Sequence, residues 1–95
     1  MNLLNQPSSL DPRVKDAFWG VVRDCLVRIH KLPPADADQK TSALRNRIER
    51  PPPGIDPDMV YHDEPFDVAC DIAGNKLDLA THCGQYDPIL RAHNW

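Results

Sequence analysis

The chain has 95 residues, a net charge of −3, and ordinary apolar and charged content, which limits it to one domain around one modest core. No stretch approaches the roughly 18 apolar residues of a membrane span, and the acidic balance disfavours a general nucleic-acid binder. Serine is confined to Ser8, Ser9 and Ser42 and there are four glycines, so a serine-hydrolase elbow or a phosphate-cradling loop has little material.

Ten prolines punctuate the chain, about twice the usual share. Four of them follow an acid directly: Asp11-Pro12, Asp56-Pro57, Glu64-Pro65 and Asp87-Pro88. An N-cap carboxylate accepts an orphan backbone N–H, and proline at the first helical position has its φ set and no N–H to leave unpaired. The pairs therefore read as helix starts, and the expected class is an all-α bundle of four to five short helices.

Residues 1–10 form a polar lead-in that we expect to be loosely held. A first helix is expected over about 12–31. Val14, Phe18, Val21, Cys25 and Ile29 recur at spacings of three and four, with Ala17, Val22 and Leu26 widening the stripe and Trp19 at its edge. Such a band is too wide for one partner, so this helix should be central, shared with a second copy, or both. Leu32 precedes Pro33, which disfavours helical geometry there.

A second helix is expected over about 37–49, with Asp36 and Gln39 as a capping box and a thin stripe of Ala37, Thr41, Leu44 and Ile48. Pro51-Pro52-Pro53-Gly54 must turn the chain. Residues 56–62 suit one helical turn. A third helix should start at Asp63 or Glu64 and end at Ala73, with Gly74-Asn75 supplying the left-handed stop. Residues 77–86 are ambiguous, because Asp78 is a cap and Gly84 a weak point. A last short helix is expected to begin at Pro88.

The Pro-rich turn at 51–54 divides the charge. Residues 1–50 carry nine Lys/Arg against six Asp/Glu (+3), and residues 51–95 carry two against eight (−6). Opposite halves of this kind can pack on each other or drive association. The basic positions Lys40, Arg45, Arg47 and Arg50 and the acidic row Asp63, Glu64, Asp67 and Asp71 form the candidate binding surface. The two sets either pair, within one chain or between copies, or form solvated faces; the acidic row also suits a weak divalent-cation site.

Arg23-Asp24 and His30 lie within one run of the first helix, the arginine and histidine two turns apart on one face. Histidine moves protons near neutral pH and arginine stabilises developing phosphorane charge. The eight-residue run resembles the Arg–polar–His signature of HEPN-type ribonucleases, with Arg23, Asp24 and His30 on the signature positions. The resemblance implies a small ribonuclease or toxin-like enzyme with Arg23 and His30 as catalytic groups. It departs from that family in chain length and in placing the motif on the first helix.

His62, Cys70, His82 and Cys83 are the candidate metal ligands. Zinc sites usually present paired short spacings such as C-x₂-C, and none is present. No cofactor is implied. Three cysteines cannot all pair in one chain, and residues 1–6 lack the features of a secretory leader, so a reduced cytoplasmic protein with free thiols is expected.

The favoured reading is a non-enzymatic interaction or regulatory protein acting through protein contacts, as a homodimer. The ribonuclease comes second. A nucleic-acid-binding regulator using Arg45, Arg47 and Arg50 comes third.

Overall fold

A computed structural model describes residues 10–56 and 58–95. It contains α1 (Pro12–Arg28), α2 (Pro34–Glu49), a 3₁₀ turn (Met59–His62), α3 (Pro65–Ala73) and α4 (Leu79–Ala92), with no strand among the described residues. The all-α expectation holds, with four helices. Apart from Leu10, the lead-in lies outside the described residues, as does Pro57.

α1 is the hub: every substantial helix–helix packing is between it and α2, α3 or α4. Phe18, Trp19, Val21, Val22, Cys25 and Leu26 are buried. The width of the stripe is thus absorbed by three partners within the chain, and the band itself supplies no reason for a second copy. Val14 departs from the expectation. It is 40% exposed. Trp19 is no edge residue: it is buried, and its Nε1 donates to Tyr61 Oη at 2.9 Å.

The acid–proline pair behaves as read at Asp11, whose Oδ1 accepts the Arg13 N–H at 2.9 Å. The Arg13 side chain and backbone bonds hold the Asp11 carboxyl below its ordinary pKa. α1 ends at Arg28, three residues before the expected stop. The Ile29 and His30 N–H groups both reach the Cys25 carbonyl, Lys31 turns left-handed at φ 63, and the Leu32 N–H closes on Leu26 O. The terminus is therefore a widened last turn rather than a direct effect of Pro33. α2 begins three residues earlier than expected, at Pro34, and Asp36 makes no capping box. It sits in the first turn, where its charge suits the helix dipole.

The Pro-rich segment turns as expected. Ile55 N–H bonds Pro52 O at 3.2 Å, and Gly54 occupies the left-handed position at φ 86. α3 starts after Glu64 and ends with Gly74 at φ 67, whose N–H reaches Asp71 O while the Asn75 N–H reaches Cys70 O.

The largest correction is α4. No short helix starts at Pro88. One helix runs from Leu79 through Gly84 and Pro88 to Ala92, capped by Asp78 accepting the Ala80 N–H. An interior proline removes the bond to the residue four back and crowds its carbonyl. That residue is Gly84, and both Gly84 and Pro88 are exposed, so the orphaned carbonyl faces water. Burial of Tyr86 and Ile89 on the opposite face, about 1.5–3 kcal/mol for each large apolar side chain, offsets the lost bond.

Candidate functional site

Two features stand out from the fold: a charged cluster where the C-terminus meets α1, and an apolar cleft where α2 meets the 3₁₀ turn.

The cluster is built on Gly20, Arg23 and Asp24, which share one flank of α1 at spacings of three and four. After α4, His93 turns back onto this flank. Its Nε2 lies 2.7 Å from Asp24 Oδ2, while Asp24 Oδ1 accepts from Arg23 Nη1 at 3.1 Å. Arg23 Nε donates to Asp38 Oδ1 on α2 at 2.8 Å. The ring of His93 fills the space above Gly20: a Cβ there would lie 2.6 Å from His93 Cε1. Trp95 completes the closure, with its ring edge-on to Phe18 at 5.5 Å.

Burial pushes the Asp24 carboxyl up, but the His93 and Arg23 hydrogen bonds outweigh it and the net shift is downward. The Asp38 bond, then the Asp24 bond, raises Arg23. Arg23 is thus committed to two carboxylates. The network joins α1, α2 and the C-terminal residues, and its chemistry is that of a structural tie. Sequence reasoning missed His93 altogether. It lies 69 residues from Asp24, and no local pattern connects them.

His30, the sequence's partner for Arg23, is placed differently. It lies beyond the end of α1, and both ring nitrogens are buried without a hydrogen-bond partner in the protein. Arg23 meanwhile reaches outward to Asp38. Burial, then the proximity of His82, lowers the His30 pKa from its ordinary 6.5.

The unfolded chain therefore takes up the His30 proton first on acidification. The stability linked to His30 is present above about pH 6.5 and is lost as pH falls through 6.5 toward the folded value. His30→Leu should flatten the fall in urea midpoint between about pH 7 and 5, and raise stability at pH 7 by about 1 kcal/mol by removing an unpaired polar ring. A pH slope unchanged by the substitution would contradict this account.

The metal candidates do not converge. His62 and Cys83 are exposed, Cys70 is buried, and His82 Nδ1 lies 2.8 Å from Asp78 O. Among the described residues no three His, Cys, Asp or Glu side chains gather as a metal site requires. Cys25 and Cys70 are buried free thiols. Burial, with Asp24, Cys70 and Glu64 adding to it, pushes the Cys25 thiol up to about 12. That removes the thiolate on which reactivity depends.

Arg45 pairs with Asp16 on α1 and with Glu49, both at 2.8 Å. Lys40, Arg47 and Arg50 are exposed, as are Asp63, Asp67 and Asp71. Among the described residues no ion pair joins one set to the other. Glu64 is diverted: its carboxylate accepts from Tyr86 Oη, which in turn accepts the Phe66 N–H at 3.2 Å. Burial and the Glu64 bond both raise the Tyr86 pKa, so the phenol stays protonated.

The cleft is lined by Ile48, Pro51, Ile55, Asp56, Met59, Val60 and Asp63 and encloses about 240 Å³. Two of the lining side chains, Ile55 and Met59, are 49% and 58% exposed. None of the apolar members was singled out in the sequence as a surface feature. Ile55 and Met59 sit in the turn region, where no helical period marks which face they take.

No protein family, curated protein or solved structure is matched by this chain. No helix of the described residues is long and apolar enough to cross a membrane.

Proposed function

We propose that this chain is a small non-enzymatic interaction protein of the cytoplasm, acting through contacts with other protein surfaces and associating with itself as a homodimer. The observation that carries this reading is the apolar cleft whose lining includes the exposed Ile55 and Met59. At about 240 Å³ it falls below the roughly 300–1,000 Å³ of small-molecule sites, and it suits one or two apolar side chains of a protein partner. Groups that chemistry would use are engaged otherwise: Arg23 on Asp24 and Asp38, and His93 on Asp24.

Sedimentation velocity between about 1 and 100 µM should show a dimer forming in the micromolar range, a modest affinity fitting a small patch. Salt should weaken it if the opposite charges of the two halves meet across the contact. A monomer at about 100 µM would overturn the reading.

A further inference from the structure

We propose that the Ile48–Met59 cleft is the two-fold interface of this dimer, with Ile55 and Met59 of each copy entering the cleft of the other. The inference rests on the self-association proposed above and adds the surface and its geometry.

Three observations select a second copy as the occupant. First, the patch combines a recess with exposed apolar side chains: Ile55 and Met59, 49% and 58% exposed, line it together with Ile48, Pro51 and Val60. An isologous contact needs that arrangement, because each copy supplies both knob and hole. Second, the recess is of side-chain size, so it accepts the tip of Ile55 or Met59 and little more.

Third, the rims differ in sign. Arg47 and Arg50 are exposed and adjoin the lining residues Ile48 and Pro51 in sequence at the end of α2, and Asp56 and Asp63 belong to the lining supplied by the segment after the Pro-rich turn. A uniformly basic partner would meet Arg47 and Arg50; a uniformly acidic one would meet Asp56 and Asp63. A second copy related by a two-fold axis sets the basic rim of one against the acidic rim of the other, twice. This gives Arg47, Arg50, Asp56 and Asp63 partners in trans.

The test uses the full chain and reads the dimer dissociation constant by sedimentation. Ile55→Glu and Met59→Glu change exposed side chains, so each variant should keep the helical circular dichroism of the parent. Each should weaken the dimer roughly thirty-fold or more, as for a hot-spot side chain. Arg50→Glu and Asp63→Arg should each weaken it about threefold to tenfold, and the double variant should recover most of the loss.

A dimer unaffected by Ile55→Glu and Met59→Glu would overturn the assignment of the interface and leave self-association standing. A parent chain that stays monomeric would overturn both. Peroxide oxidation of Met59 should speed up on dilution below the dissociation constant. Protection that persists on dilution would make the occupant a part of the same chain, such as residues 1–9, and would overturn the inference.

Discussion

Phe18→Ala should lower the stability of this protein by about 3–5 kcal/mol, a large part of the roughly 5–15 kcal/mol available to a domain. The side chain is fully buried in the middle of α1. Its ring meets Trp19, Tyr61 and Trp95 edge-on, with centroids 5.1, 5.0 and 5.5 Å away. Truncation therefore removes more than buried area: edge-to-face pairs add about 0.5–1.5 kcal/mol each beyond their burial. It also loosens the 3₁₀ turn and the C-terminal residue, which reach the core through Tyr61 and Trp95. The urea midpoint should fall sharply and tryptophan emission should change in the folded state. An unchanged midpoint would show that the core is not organised around Phe18.

Gly20→Ala should change sign with its background. In the parent chain it should destabilise by about 1–2 kcal/mol, because a Cβ 2.6 Å from His93 Cε1 pushes the ring off Asp24 and loses a charge-assisted hydrogen bond worth about 1.5–3 kcal/mol. That figure belongs at its lower end here, since the Asp24 and His93 side chains are 18% and 27% exposed. In a His93→Ala background the obstacle is gone. The helix preference for alanine over glycine then remains, and the same substitution should stabilise by about 0.5–1 kcal/mol. The double-mutant cycle should thus give a coupling of about 2 kcal/mol. The same sign in both backgrounds would show that His93 does not rest on Gly20 in solution.

The Asp24 tie also sets a limit on the acid side. Its folded pKa lies below the ordinary 3.8, so its contribution is complete above about pH 4 and is lost as pH falls through the folded value. The His30 effect lies at higher pH, so the two can be separated in one titration.

Much of the fold was legible in the sequence because its signals act over one helical turn. The Phe18–Val21–Cys25–Ile29 period named the buried face of α1, and Ala37, Thr41, Leu44 and Ile48 named that of α2. Gly74 marked the end of α3 through a backbone conformation that glycine accepts readily. The same local reading failed at Asp87-Pro88. Leu79, His82, Tyr86 and Ile89 keep helical spacing across the proline, and all but the largely covered Leu79 and His82 are buried. That period was the available signal, and the proline rule obscured it.

By itself, then, the sequence determined the helical class, the central place of α1 and the turns at Gly54 and Gly74, since caps, fixed φ values and apolar periods are properties of neighbouring residues. Tertiary structure alone decided the rest. It carried α4 through Pro88, because packing of Tyr86 and Ile89 outweighs one bond lost to water. It gave Glu64 to Tyr86 rather than to a helix cap, and brought His93 to Asp24 across 69 positions. It also left Ile55 and Met59 exposed in the lining of an open cleft. Each of these depends on where two distant segments come to rest, and that is set by the shape of the shared core rather than by any residue's neighbours in the chain.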